Sequence, residues 1–330
     1  MTIEQEILEP IEQPFRLFER TFKEALQSEQ PLLKDVLQYL LSKRGKQLRP
    51  QLVLLAAQLC KGITDKTIDT AVALELLHTA SLIHDDVVDS SPTRRGHEAI
   101  HIRWTNKVAI LVGDFILARV MQLIVQVRNA RILNIVAGMG TSLSSGELLQ
   151  LHSNATMWIS EEQYYRVIEQ KTACLFAACM EAGGESSGAT MRQSSALREF
   201  GQHLGMCFQI KDDILDYSDS DELGKPTMGD IRDGKATLPL LIALQRGSQE
   251  ECAHIRQLAE DLSHSAPHID VFQAEQEIKA FVLRYDGVRY AYQQMQKHKE
   301  KAIEALTAFH DSAAKKSMIL LLNYSINRLK

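Results

Sequence analysis

Residues 67–89 read TIDTAVALELLHTASLIHDDVVD. Apolar and small side chains dominate as far as Ile83, no Pro or Gly interrupts them, and the stretch ends in Asp85, Asp86 and Asp89. The pattern predicts one long buried helix from about Lys66 to Val88. Its acidic residues sit at the C-terminal end, where the helix dipole disfavours negative charge. A second stretch, FQIKDDILDY at 208–217, closes another apolar helix (about Gln193 to Tyr217) on Asp212, Asp213 and Asp216. Two helices that end in DDxxD frame the reading of the rest.

Outward from these, helical periodicity continues almost everywhere. Pro31 opens a helix that runs toward Gly45. Further helices cover about Trp104 to Val127 and Ile132 to Leu151. Ser160 with Gln163 forms a capping box for a helix that ends at Gly183-Gly184, and the tail from Ile269 to Asn327 holds two or three more. No two-residue alternation argues for a sheet. Residues 218–235, SDSDELGKPTMGDIRDGK, resist helix assignment and read as a functional loop. With 17 Gly and 8 Pro in 330 residues, and no linker-like composition break, the expectation is one all-α domain over 1–330.

Composition narrows the class. Apolar residues are 45% and charged residues 24%, which excludes disorder. A net charge of −5 argues against a nucleic-acid surface. Cys60, Cys174, Cys179, Cys207 and Cys252 are odd in number and form no CxxC pair, so a disulfide scaffold or zinc ribbon is not expected. The acidic start MTIEQEILEP has no secretory pattern, and Gly113-Asp114 and Arg119 interrupt the apolar run Val108–Val127. A cytoplasmic protein without a membrane-spanning segment is expected, with any membrane contact transient.

In each acidic cluster the first and last Asp are four residues apart, hence about 40° apart on one helical face. One DDxxD alone reads as a solvated helix end. Two, 127 residues apart and each closing an apolar helix, point to hard divalent cations, for which carboxylate oxygens are the natural ligands. Zinc hydrolase chemistry lacks its HExxH, and a di-iron bundle lacks Glu-x-x-His. Basic residues accompany the acids: Lys46 and Arg49 in GKQLRP, Arg94 and Arg95 after the first cluster, Lys171 before Thr172, and Lys225 and Lys235 about the loop. Arg forks and Lys point charges suit phosphate oxygens. Each alone reads as a surface charge, except Lys171, whose apolar neighbours imply a buried cation in need of a partner. His78 and Ser81 share the face of Asp85, and Gln209 stands seven residues before Asp216. His78 reads equally as a core histidine or a phosphate donor.

HTASLIHDDVVDSSPTRRG, GKQLRP, KTACLF, FQIKDDILDY and GKPTMGDIRDGKATLPLL resemble, in order, the motif set of the trans-isoprenyl (polyprenyl) diphosphate synthases, over about Gly45 to Leu241. The resemblance implies a helical bundle of the isoprenoid synthase type around a deep central cavity, acting as a homodimer. It implies that Asp85, Asp89 and Asp212, with Asp216, hold three Mg²⁺ ions that bridge an allylic diphosphate, with Asp86 and Asp213 in support. Arg94, Lys171, Thr172, Gln209 and Lys225 would hold that diphosphate, with Lys235 on its flank. Lys46, Arg49, His78 and Arg95 would hold isopentenyl diphosphate. The chain departs from the family at Met228, where GKPxGxD has Gly, which puts the conformation of the Lys225 loop in question.

The family's product floor falls four and five residues before the first Asp, at Ser81 and Ala80. Both are small, and Leu77, Leu76 and Ala73 beneath them include no aromatic plug. One helical turn rises about 5.4 Å, close to one isoprene unit, so a product of about seven to nine units is expected, octaprenyl by resemblance. Met139, Leu143 and Phe115 are other candidate floors, and small residues also simply permit tight helix packing. Four alternatives remain at this level: a farnesyl- or geranylgeranyl-length synthase, a terpene cyclase, a non-catalytic subunit of a hetero-oligomer, and a structural metal-binding bundle.

Overall fold

The Asp65–Val88 helix is 24 residues long and starts at Thr64, whose hydroxyl accepts the Thr67 N–H while the Thr64 N–H donates to the Thr67 side chain. Its inward residues, Ala71 to Leu74 and Leu76 among them, are fully buried. They pack along Glu12–Ala25, Leu48–Cys60 and Asn106–Val127. The computed structural model in which this is seen describes residues 2–43, 45, 47–154, 157–218, 228–267 and 269–327. Lys46 and Lys225 lie outside the described residues.

Two compact units emerge. The first comprises Met1–Gly140, Ala178–Arg198 and Leu306–Leu320. Around the Asp65–Val88 helix it gathers Phe18, Leu52, Leu54, Leu55 and Ile116, all without solvent exposure. The second comprises Thr141–Ala177, Glu199–Ala305 and Leu321–Lys330. Its core is built on Phe176 and Phe200, with Phe208 ring-packed on Phe176 at 5.3 Å between centroids.

The long helices stand where periodicity places them: Pro31–Ser42 with Pro31 in its first turn, Asn106–Val127, Ala130–Asn154, Met191–Leu215 and, in the tail, Val271–Arg284, Gly287–Ala305 and Ala313–Asn327. The Ser160–Gln163 capping box is present. Three features differ from expectation. Thr93–Arg94 pairs with His97–Glu98 as a small antiparallel hairpin, its turn made by Arg95 and Gly96 with both φ positive. Helix Glu161–Ile168 continues through a π-helical turn, Glu169–Ala173, into Cys174–Ser186. Gly183 and Gly184 therefore do not end this helix. A Cβ on Gly183 would meet the Val53 carbonyl oxygen at 2.4 Å, so the residue admits the Leu48–Cys60 helix instead.

Close approach also governs the second unit. A Cβ on Gly201 would stand 2.5 Å from the Phe176 carbonyl oxygen, and one on Gly205 2.5 Å from the Ala173 Cα. These two glycines, one turn apart, let Met191–Leu215 lie against the Ala173–Phe176 backbone. Gly205→Ala adds about 1 kcal/mol of helix propensity but forces two backbones apart, an overpacking cost of about 1–3 kcal/mol or more. Packing should win, with the variant less stable than the parent in urea unfolding.

Candidate active site

In the first unit, Asp85 and Asp86 occupy the last turn of Asp65–Val88, and Asp89 caps it, its N–H donating to the Asp85 carbonyl at 2.8 Å. Asp86 is turned inward, 6% exposed, and accepts Arg94 Nε at 2.8 Å and Nη2 on one oxygen. Asp85 is half-buried and Asp89 exposed. The neighbouring His84 ring contacts the Ile110 carbonyl at 3.2 Å and the Asp114 carboxylate at 3.6 Å.

The hairpin that carries Arg94 and Arg95 is held by the Tyr39 hydroxyl, which donates to the Glu98 carbonyl at 2.8 Å. Arg95 lies over Gly45, where a Cβ would meet its guanidinium carbon at 2.5 Å. Gln47 takes a left-handed conformation (φ +48°) immediately before Leu48–Cys60. A cavity of about 100 Å³ results, lined by Gly45, Gln47, His78, Arg94 and Arg95. Burial, and then the charges of Arg49, Arg95 and Arg94, hold the His78 pKa well below its usual value. Of the residues assigned to isopentenyl diphosphate, Arg49, His78 and Arg95 are thus neighbours in charge, and Lys46 lies outside the described residues.

Below this site Ala80 is fully buried, as are Ala73 and Leu76. Ser81 is half-buried and donates to the His78 carbonyl at 2.9 Å. Met139 is buried, and Phe115 is half-buried under Arg119.

The second unit repeats the acidic arrangement. Asp212 and Asp213 end Met191–Leu215. Asp213, 2% exposed, accepts the Tyr164 hydroxyl at 2.5 Å and Gln209 Nε2 at 2.9 Å. Its carboxyl is held well above the usual range by burial and by Asp230. Asp216 accepts the Gly229 N–H at 2.9 Å and the Asp230 N–H at 3.2 Å. Met228 of this loop is left-handed (φ +62°) and buried before the short helix Gly229–Arg232. The conformation that favours glycine therefore falls at the position where the resemblance implies one, and a side chain adopts it here.

A cavity of about 200 Å³ is lined by Tyr164, Lys171, Thr172, Gln209, Asp213 and Lys235. Thr172 donates to the Gln209 side-chain oxygen at 2.9 Å. Lys171, 27% exposed, finds the partner that sequence required: Glu147 at 2.6 Å. A Cβ on Gly146 would meet the Lys171 backbone nitrogen at 2.9 Å, which is how Ala130–Asn154 approaches the π turn closely enough to deliver Glu147. Lys235 reaches Asp233 at 3.1 Å.

Sequence reading missed Glu147, Tyr164, Asp230, Gln47 and Glu75. Two had a signal: Glu147 is the lone acidic residue of its helix, and Glu75 interrupts the apolar run AVALELL. Tyr164 had none.

Among the described residues no three His, Cys, Asp or Glu side chains converge as a metal site. The outer aspartates nevertheless supply hard oxygen donors on helix ends whose central Asp is anchored, a donor set that fits Mg²⁺.

Residues 30–275 match the family model described as polyprenyl synthetase. An octaprenyl diphosphate synthase of Haemophilus influenzae is 36% identical over 304 residues, 92% of this chain and 90% of that protein. An all-trans-nonaprenyl-diphosphate synthase (geranyl-diphosphate specific) of Rhodobacter capsulatus is 34% identical over 328 residues, 99% and 98% of the two chains. The crystal structure of a polyprenyl synthase from Caulobacter crescentus, complexed with calcium and isoprenyl diphosphate, superposes with a TM-score of 0.89 at 32% identity, covering 99% and 98%.

Burial pushes the Glu75 carboxyl up to about 7 from 4.5, against the opposing pull of Arg49 and Arg95. Between these values the folded chain holds a proton that the unfolded chain has released, so stability is full below about pH 4.5 and falls as pH rises toward 7. The loss attributable to Glu75 is roughly 3 kcal/mol. Denaturation of the ligand-free protein across this range should show that slope, and Glu75→Gln should flatten it.

Proposed function

The chain belongs to the polyprenyl synthetase family and is a prenyltransferase, and on that premise we propose that it condenses isopentenyl diphosphate with an allylic diphosphate to make a long all-trans polyprenyl diphosphate, for quinone side chains. The observation that carries this reading is the pair of acidic helix ends, each with its central Asp anchored and each beside a cavity with Lys or Arg in its lining. We propose that residues 1–330 act as one catalytic domain, which the unbroken match over 30–275 supports.

Asp85, Asp89, Asp212 and Asp216 would hold the Mg²⁺ ions. When bound, the ions neutralise the diphosphate leaving group. Lys171, Thr172, Gln209 and Lys235, with Arg94 and Lys225, orient the allylic diphosphate. Arg49, His78 and Arg95, with Lys46, take the metal-free isopentenyl diphosphate, whose charge side chains alone must meet. Ionisation of the allylic C–O bond leaves a carbocation, the isopentenyl double bond attacks it, and a proton leaves to pyrophosphate. Side chains must keep water from that cation.

A second copy of the chain is the proposed partner. Leu111, Met121 and Val125 on Asn106–Val127 are 68%, 67% and 70% exposed and, with Ala118, follow helical spacing along one face. That helix is long and apolar enough to cross a membrane, with a mean hydropathy of 2.1 over its best window, but it carries Asp114 and Arg119. An apolar seam against a second copy accounts for its composition. The five cysteines are free, in keeping with a cytoplasmic setting.

Octaprenyl is the favoured length within about seven to nine units. It rests on the small Ala80 and Ser81 and agrees with relatives named for eight- and nine-unit products. Incubation with isopentenyl and farnesyl diphosphates should give a Mg²⁺-dependent product of this length, abolished by chelator. A product of three or four units would keep the chemistry and remove the length assignment. No product from folded protein would favour the partner-subunit alternative. Asp85→Ala should lower turnover by about 10²-fold or more with an unchanged circular dichroism spectrum. Ala80→Phe should shorten the product, as read by chromatography of the dephosphorylated alcohols.

A further inference from the structure

Among the described residues, two buried polar atoms at the cavity of the first unit have no hydrogen-bond partner: Gln47 Nε2 and Glu75 Oε2. The second is the more telling. Glu75 is 7% exposed, and an ionised carboxylate at that depth is costly unless it is paired. It stands one turn before His78 on Asp65–Val88 and lines the same cavity.

The charges that face it come from each packed element. Leu48–Cys60 contributes Arg49, half-buried, for which Glu75 is the strongest stabilising charge and Cys179 the next. The hairpin contributes Arg95, while Arg94 is committed to Asp86. Lys43, His97 and Glu98 stand on the cavity wall. His78 carries no proton to spare, because burial and the arginines keep it neutral. Glu75 is thus held near its balance point between burial, which favours the neutral acid, and Arg49 and Arg95, which favour the anion.

A diphosphate in this cavity upsets that balance. It occupies the field of the same two arginines and sets further negative charge beside the carboxylate, in surroundings that screen poorly. We propose that Glu75 is the proton-carrying member of this anion site: as a diphosphate enters, one proton moves from solvent onto the Glu75 carboxylate, which then presents an O–H donor to the ligand in place of an opposing charge. Gln47 Nε2 supplies a second donor from the other wall. The step is a protonation alone, with the buffer as proton source. The inference rests on assigning this cavity to isopentenyl diphosphate and adds a residue and a proton to that assignment.

The probe is inorganic pyrophosphate with chelator present, bound to the full chain and followed by isothermal titration calorimetry in buffers of different ionisation enthalpy. Near pH 8, where free Glu75 is mostly ionised, the parent should take up close to one proton more per pyrophosphate than Glu75→Gln does. Titration of the ligand itself is common to both and cancels. Above pH 7 the parent's affinity should fall relative to the variant's by up to about tenfold per pH unit. Equal uptake in parent and variant, with binding intact, overturns the role of Glu75 and leaves the cavity assignment standing. No binding to the parent overturns the cavity assignment and this inference with it. Should Glu75→Gln not fold, ¹³C-carboxyl NMR of the parent decides: the Glu75 resonance must shift toward the protonated form when pyrophosphate is added, and an unmoved resonance sinks the proposal.

Discussion

A carboxylate at the C-terminal end of a buried helix meets two adverse terms, loss of hydration and the negative end of the helix dipole. In each DDxxD stretch the middle acid bears the first and is compensated by fixed donors: Arg94 for Asp86, Tyr164 and Gln209 for Asp213. The bonded acid sets the rotation of the helix end. A residue one position before it lies about 100° round the axis, and one three positions after it about 60° round in the same direction, so the two stand about 40° apart. Asp85 and Asp89, like Asp212 and Asp216, therefore share one face of a helix end whose rotation a bonded neighbour helps to set. The anchors come from different chemistry in the two cases: Asp86 meets a cation, while Asp213 meets neutral donors and has its carboxyl held well above the usual range by burial.

The basic half of each site is built from backbone irregularity. Gln47 and Arg95 adopt left-handed conformations that turn two chain segments toward one cavity, and Met228 does the same before Gly229–Arg232. Such positions cost of order 1–3 kcal/mol each in residues with a Cβ and persist where surrounding contacts over-determine them. Arg95 has such contacts, with its guanidinium on Gly45 and its hairpin tied to Tyr39.

The sequence was most legible where one force acts alone. Burial of apolar faces prescribes the long helices, and Asp65–Val88, Met191–Leu215 and the Ser160 cap are where periodicity and capping place them. Gly183-Gly184 misled because glycine has two uses, helix termination and close approach, and only the partner helix distinguishes them. Residues 93–98 hid a hairpin because two-residue strands are too short to alternate. In the site, Lys171 announced that it needed a counter-charge, but Glu147 comes from another helix through Gly146, which local pattern does not encode. Tyr164 looked like any half-apolar helix residue until Asp213 was placed against it.

The π turn at Glu169–Ala173 has a bearing on how this region tolerates change in length. A π turn arises when one residue more than the α spiral needs is accommodated without breaking the helix. Upstream of it Tyr164 is registered against Asp213, while Ala173 at its end and Phe176 beyond it are registered against Gly205 and Gly201. Both registrations hold at once only with the surplus residue present. Deleting any single amino acid from the turn would restore regular α geometry and yet swing one flank by about a hundred degrees against the other. Across this segment the number of residues is thus under tighter constraint than their identity, and indels are the changes that its relatives should have avoided.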